Sequence, residues 1–120
     1  MKQCLVVDDS DIIRTVARRI LEKLRMEVSE AVDGQQALER CSSRMPDAIL
    51  LDWDMPGMSG IDFLVRLSSL QGKRPFVIYC TTENDPTNIS LAFAAGADDY
   101  LLKPYDTRDI SAKLGSAGLL

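Results

Sequence analysis

The stretch from Ala48 to Leu51 limits the fold more than any other part of the sequence, because its four residues form an uninterrupted apolar run. A strand with one face in solvent alternates apolar and polar residues, whereas an unbroken run is typical of a strand buried on both faces of a parallel sheet. Asp52 ends the run, and Met55-Pro56-Gly57 then breaks the strand. We therefore predict a central parallel strand that carries a carboxylate at its carboxyl end.

Strand-like segments of this kind alternate with helical patterns along the whole chain. In the first helical pattern, for example, Ile13, Val16 and Ala17 lie on the predicted apolar face, and Arg14 and Arg18 lie on the polar face. Five strands alternating with five helices predict an α/β fold, a doubly wound five-stranded parallel sheet in the flavodoxin-like order 2-1-3-4-5. The predicted strands are Cys4–Val7, Met26–Ala31, Asp47–Asp52, Phe76–Cys80 and Tyr100–Leu102.

Length and composition set the broad class. The 120 residues suffice for one domain, which we assign to residues 1–120, and the net charge of −4 argues against a general nucleic-acid binder. No apolar run approaches ~18 residues, so we expect no membrane span, and acid at Asp8 comes too early for a signal peptide. Three widely spaced cysteines in apolar surroundings indicate reduced thiols in a cytoplasmic protein. The sequence has no histidine, which removes the commonest general base and metal ligand.

Polar side chains follow four of the predicted strands. Asp8 and Asp9 follow the first strand, Asp52 ends the third, Thr81 follows the fourth and Lys103 follows the fifth. In the predicted order these carboxyl ends meet in the crevice where open α/β sheets hold ligands. Clustered carboxylates repel one another unless a hard cation or an ammonium neutralises them, and magnesium suits such a group. The set predicts phosphoryl transfer, with a carboxylate as nucleophile and cations neutralising the phosphoryl oxygens.

Each of these residues also has an ordinary structural explanation. Asp8-Asp9-Ser10 fits a helix-capping loop, Thr81 is a common strand residue, and Lys103 fits a solvated charge before a proline turn. The functional interpretation depends on their convergence, because four strand ends that meet in one coherent chemistry are far less expected by chance than any single one.

With these motifs in place, the chain resembles response-regulator receiver domains, and among them the single-domain CheY-type chemotaxis regulators. The resemblance covers essentially all 120 residues. It rests on VVDDS at 6–10, LDWDMPGMSG at 51–60, CTTE at 80–83 and AGADDYLLKPY at 95–105.

The resemblance implies a role for each matching residue. Asp52 would accept a phosphoryl group from the phosphohistidine of a histidine kinase, and Lys103 would pair with the phosphoryl oxygens. Thr81 would hydrogen-bond the phosphoryl group, and Tyr100 would swing inward as the signalling switch. The metal, Mg²⁺ or alternatively Mn²⁺, would be held by Asp8, Asp9, Asp52 and the backbone carbonyl of Asp54. Access to the phosphoryl site and the lifetime of the phosphoryl group would be governed by Asp54, Thr82 and Glu83.

The output implied by the resemblance is signalling rather than enzymatic turnover. A downstream protein, with the flagellar motor as one candidate, would bind the surface formed by helix 4, strand 5 and helix 5. The inward turn of Tyr100 would reshape the part of this surface that Tyr100 forms with Phe93, Ala94 and Tyr105. We expect a cytoplasmic monomer that binds neither nucleic acid nor membrane and dephosphorylates itself slowly at most. Two residues depart from the family pattern: Thr82 stands where alanine or glycine is usual, which would slow phosphate exchange, and Ser59 stands where aspartate is common.

Other functions stay open at this point. A single-domain receiver could serve as a phosphate sink or a cell-cycle regulator. Asp52-Trp53-Asp54 also resembles the Asp-x-Asp of haloacid-dehalogenase-type phosphatases, although that motif normally follows the first strand. A flavodoxin-like cofactor binder is disfavoured, because Asp8 and Asp9 stand where a phosphate-binding loop would be needed.

Overall fold

A five-stranded parallel sheet forms the centre of the molecule. The computed structural model describes residues 1–120, and the strands follow the order β2-β1-β3-β4-β5, as predicted. The central strand β3 is buried along its whole length, which agrees with its unbroken apolar sequence. The strands are β1 Gln3–Val7, β2 Glu27–Ala31, β3 Ala48–Asp52, β4 Phe76–Thr81 and β5 Asp99–Leu102.

Five helices connect and follow the strands, and each begins at a side chain that caps its free N–H groups. Asp85 caps a helix whose first residue is Pro86, and Gly96 ends that helix at a φ of 127°, where a residue with a Cβ would be strained. The longest helix has 13 residues, and none meets the length and hydropathy that a membrane-spanning helix requires. The helices are α1 Asp11–Lys23, α2 Gly34–Ser43, α3 Gly60–Leu67, α4 Pro86–Ala95 and α5 Thr107–Ser116.

Alternate residues of each strand supply two cores, one on each face of the sheet. Leu5, Ile49 and Tyr79 belong to the core beneath α2, α3 and α4. Val6 and Leu50 belong to the core beneath α1 and α5. The period-two alternation of a strand therefore determines on which side of the sheet each functional side chain lies.

Two residues of α1 lie on the opposite side from the one predicted. Arg14, predicted on the polar face, is buried at 8 % exposure, and Val16, predicted on the apolar face, is 45 % exposed. The helix is rotated relative to the predicted stripe because the Arg14 guanidinium finds acceptors beneath the helix, on Asp8 and Glu30. Helical spacing alone carries no information about such acceptors.

Candidate functional site

Three predicted site residues meet on the α1 and α5 side of the sheet, at the carboxyl ends of the strands. Asp52 is the last residue of β3 and pairs in register with Cys80 of β4. Asp8 directly follows β1, and Lys103 directly follows β5. The Lys103 ammonium lies 2.7 Å from Asp8 Oδ2 and 2.7 Å from Asp52 Oδ1, so one cation bridges two buried carboxylates.

Burial dominates the electrostatics of Asp52, which is 4 % exposed. The pKa of Asp52 is raised to about 6, with desolvation as the largest cause; the Lys103 ammonium opposes the increase, and the charges of Asp8 and Asp9 add to it. Burial alone would lower the pKa of Lys103, but its hydrogen bonds to Asp52 and Asp8 outweigh burial and raise it. Lys103 is therefore a fixed positive charge at this site.

The acidic side chains around Asp52 differ in their freedom. Asp8 Oδ1 accepts a hydrogen bond from the Ser10 backbone N–H at 2.9 Å, and Asp8 Oδ2 accepts the one from Lys103. Asp9 and Asp54 are exposed. The site thus combines two fixed, buried carboxylates with exposed acid at its mouth.

The donor set fits a divalent cation. One carboxylate oxygen from each of Asp8, Asp9 and Asp52 lies within 4.8 Å of the others. Magnesium prefers oxygen ligands and commonly takes one or two carboxylates together with waters and a phosphate oxygen. A single ammonium neutralises only part of the charge of three carboxylates, so a cation would relieve their remaining repulsion.

Thr81 lies at the same edge, but its hydroxyl is turned into the loop that follows β4. Thr81 is 1 % exposed, and its Oγ1 accepts from the Glu83 N–H at 3.1 Å and donates to the Glu83 carbonyl at 3.3 Å. Thr82 and Glu83 are exposed. The predicted hydroxyl is therefore present at the site, engaged with its own loop.

The sequence matches a known protein family over most of its length. Residues 4–115 match the family described as the response regulator receiver domain. The chain belongs to that family. It is 36% identical over 108 residues to the transcriptional regulatory protein SrrA of Staphylococcus aureus, covering 90% of this chain and 44% of that protein. This receiver domain thus spans less than half the length of that curated relative.

Solved receiver structures share the whole fold. The chemotaxis response regulator CheY4 of Vibrio cholerae superposes with a TM-score of 0.90 at 32% identity, covering 97% of this chain and 98% of that chain. The receiver domain of the sensor histidine kinase PA1611 from Pseudomonas aeruginosa superposes with a TM-score of 0.87 at 27% identity, covering 96% of this chain and 95% of that chain. That structure has a magnesium ion coordinated in its active site cleft.

Tyr100 of this receiver domain lies on the other side of the sheet, with the α3 and α4 core. It pairs in register with Tyr79, is half-buried, and its ring meets the Phe93 ring edge-on at a centroid distance of 6.4 Å. The Lys113 ammonium lies 5.5 Å from the Tyr100 ring centroid. Tyr105, predicted on the same surface, packs instead on the α1 and α5 core, which is also the side of Leu101, four residues earlier.

Two residues outside the prediction shape the site. Gly60 begins α3 so close to β3 that an added Cβ would lie 2.7 Å from the Asp52 carbonyl oxygen, which only glycine avoids. Arg14 donates to the Asp8 carbonyl at 2.6 Å. The available sequence signal for Arg14 was its i, i+3 spacing from Asp11, which places opposite charges side by side on a helix.

Proposed function

We propose that this receiver domain is activated by phosphorylation of Asp52, with the phosphohistidine of a histidine kinase as donor. One observation carries the proposal: a buried carboxylate at the end of the central strand shares an ammonium with Asp8, and Asp9 lies beside them. This is the equipment of phosphoryl transfer, in which positioning and charge neutralisation supply most of the catalysis.

The chemistry requires an in-line displacement at phosphorus. Lys103 binds Oδ1 of Asp52, which leaves Oδ2 to attack. The P–O bond to Asp52 forms as the P–N bond to the donor histidine breaks, and the imidazole nitrogen keeps the electron pair of that bond. Lys103, held by two carboxylates, is positioned to neutralise an equatorial phosphoryl oxygen.

Asp8, Asp9, Asp52 and the backbone carbonyl of Asp54 would hold Mg²⁺, or Mn²⁺ in its place. Bound there, the ion would supply positive charge to neutralise the carboxylates and the transferring phosphoryl group. Asp9 supplies the freer carboxylate, and Asp8 the fixed one. The similarity to a receiver domain with magnesium in its cleft supports this assignment.

The signal would pass through Thr81 and Tyr100. For the Thr81 hydroxyl to bind a phosphoryl oxygen, it must give up its two hydrogen bonds with Glu83, so phosphorylation and the conformation of the loop after β4 are coupled. Tyr100 lies on the same side of the sheet as Thr81, so movement of the threonine opens space toward it. A partner that binds the inward form of Tyr100 more tightly shifts the equilibrium and, by reciprocity, favours phosphorylation.

The exposed residues at the mouth would set the lifetime of the phosphoryl group. Asp54, Thr82 and Glu83 are all exposed at the carboxyl edge of the sheet, where water must enter to hydrolyse an acyl phosphate. The threonine at position 82 would narrow this access. We propose slow self-dephosphorylation rather than enzymatic turnover, and a failure to hydrolyse a generic phosphate ester would separate this function from that of a phosphatase.

The finer role that we propose is chemotaxis signalling by a cytoplasmic monomer that binds neither nucleic acid nor membrane. The similarity to CheY4 over 97% of this chain supports it. The downstream protein would bind α4, β5 and α5, where Phe93 and Leu102 are 42% and 41% exposed. A pull-down with and without beryllofluoride and magnesium would identify the protein that binds the activated form. That protein would distinguish a flagellar-motor target from a cell-cycle target. If no protein binds the activated form, a phosphate sink would be favoured.

Intact-mass spectrometry tests the function. After incubation with acetyl phosphate and magnesium, the wild type should gain the mass of one phosphoryl group, and the gain should be lost with EDTA. Asp52→Asn should gain none, whereas Asp62→Asn, which removes an exposed acid of α3, should behave as the wild type. Phosphorylation of Asp52→Asn to the wild-type extent would contradict the proposal.

A further inference from the structure

Four polar or charged residues of this chain are buried, and three of them, Asp8, Asp52 and Thr81, belong to the site described above. The fourth is Arg14 in the first turns of α1, with a side chain that is 10% exposed. Arginine is seldom buried unless it is paired and hydrogen-bonded. The acceptors that hold Arg14 therefore indicate what it does.

The Arg14 guanidinium connects three parts of the structure. Its Nη1 donates to the Asp8 carbonyl oxygen at 2.6 Å, and its Nε donates to Glu30 Oε1 on β2 at 3.0 Å. Its Nη2 donates to Asp11 Oδ1 at the start of α1. A planar fork with several donors can span these acceptors at once, which a point-like ammonium cannot do.

The bond to the Asp8 carbonyl fixes more than one atom. That carbonyl belongs to the peptide unit that joins Asp8 to Asp9, and a peptide unit is planar. Its orientation therefore helps determine the directions in which the Asp8 and Asp9 side chains leave the backbone. The Asp8 N–H is also fixed, by a 3.1 Å hydrogen bond to the Ala31 carbonyl, but Arg14 is the side chain that holds the following peptide plane.

The charge of Arg14 is compensated locally. Glu30 accepts from both Arg14 and Arg18, the latter at 2.7 Å, and Asp11 adds a second carboxylate. Arg18 also pairs with Glu22 at 3.5 Å, so three carboxylates surround the two arginines. Arg14 differs from Arg18 in its direct contact with the Asp8 backbone, and its side chain is also more buried, at 10% against 35% exposure.

We infer that Arg14 is a positioning residue for divalent-cation binding, which presents the carboxylates of Asp8 and Asp9 by fixing the peptide between them. The inference rests on the proposed function, which supplies the cation. Arg14 does not touch the cation or the phosphoryl group. It acts through the backbone, as second-layer groups commonly do at metal sites, where their loss typically weakens metal binding about 10- to 100-fold.

Isothermal titration of the metal-free protein with magnesium tests this inference, with Arg14→Met and the matched control Arg18→Met. Both variants remove one positive charge from the same network, but only Arg14→Met removes the contact with Asp8. We expect Arg14→Met to weaken magnesium binding about 10-fold and Arg18→Met to leave it near the wild-type value. Electrostatics alone predicts the opposite for Arg14→Met, since removing a positive charge should tighten cation binding.

Equal magnesium affinities in the two variants would overturn the inference, as would tighter binding by Arg14→Met. A purely structural role would lower the urea midpoint of Arg14→Met without changing its magnesium affinity once folded. If Arg14→Met does not fold, Arg14→Lys decides: its ammonium should keep the charge yet weaken magnesium binding, and wild-type affinity would refute the role. Failure of the wild type itself to bind magnesium would instead overturn the proposed metal site, and this inference with it.

Discussion

Replacement of Asp52 by asparagine should make the metal-free protein more stable at neutral pH. Asparagine keeps the shape of the side chain and removes the charge that burial disfavours. The rise in the pKa of Asp52 from 3.8 to about 6 corresponds to about 3 kcal/mol, at about 1.4 kcal/mol per pKa unit. The attraction of Lys103 is already contained in that net rise. Because asparagine is an imperfect copy of a protonated carboxyl, we expect a gain of about 1–3 kcal/mol.

The pH dependence follows from the direction of the change. The folded state holds the Asp52 proton more tightly than the unfolded state, so the stability that this group contributes is fully present below the unfolded pKa, near 3.8, and is lost as pH rises through about 6. Asp52→Asn lacks this loss. The variant should therefore match the wild type near pH 4, gain its advantage between pH 4 and pH 6, and keep it above.

Urea unfolding followed by circular dichroism in EDTA, over pH 4 to 8, measures the difference. Asp62→Asn, which makes the same charge change on an exposed position of α3, should stay within about 0.5 kcal/mol of the wild type. Added magnesium should stabilise the wild type more than Asp52→Asn, because the substitution removes one of the proposed carboxylate ligands. An Asp52→Asn protein that is no more stable than the wild type at pH 7, or whose advantage does not change with pH, would refute the reasoning.

Three further predictions concern other parts of the molecule. Gly60→Ala should lower the free energy of unfolding in urea by about 1–3 kcal/mol, because its Cβ would lie 2.7 Å from a backbone carbonyl oxygen. Gly115→Ala, in open space on α5, should raise the free energy of unfolding by about 0.5–1 kcal/mol, and equal effects of the two substitutions would contradict the packing argument. The hydrogen bond with Arg18 lowers the pKa of Glu30, so the stability that Glu30→Gln loses at pH 6 should shrink as pH falls below about 4.5, and a deficit independent of pH would exclude this linkage. Lys103→Arg should still take up a phosphoryl group yet bind its partner weakly, since a planar fork cannot replace a compact ammonium between two carboxylates; normal phosphorylation-dependent pull-down of that partner would count against the role of Lys103.

The sequence was most informative where a local pattern determines the structure. The unbroken apolar run before Asp52 requires burial on both faces, and that alone places the carboxylate at the end of a central strand. Asp85 followed by Pro86 marks a helix start through capping and a preset φ, and the structure places it there. The convergence of Asp8, Asp52 and Lys103 followed from strand order, because parallel strands bring their carboxyl ends to one edge.

The sequence was least informative where long-range polar contacts override periodicity. Arg14 lies on the predicted polar stripe of α1, and what buries it is a carbonyl on one loop and a carboxylate on another strand. The direction of the Thr81 hydroxyl depends on the path of the following loop. The close approach of Gly60 to β3 depends on how α3 packs, which no short pattern specifies.

Borohydride reduction of the phosphorylated protein tests the central claim most directly. Borohydride cleaves an aspartyl phosphate and leaves homoserine in place of the aspartate, so peptide mass spectrometry after treatment with acetyl phosphate and magnesium identifies the acceptor. We predict homoserine at position 52, in the tryptic peptide that begins after Arg44, and at no other acidic position. Homoserine at position 8, 9 or 54 with position 52 intact would contradict the account, because Asp52 would then be a ligand or a structural residue and not the phosphoacceptor.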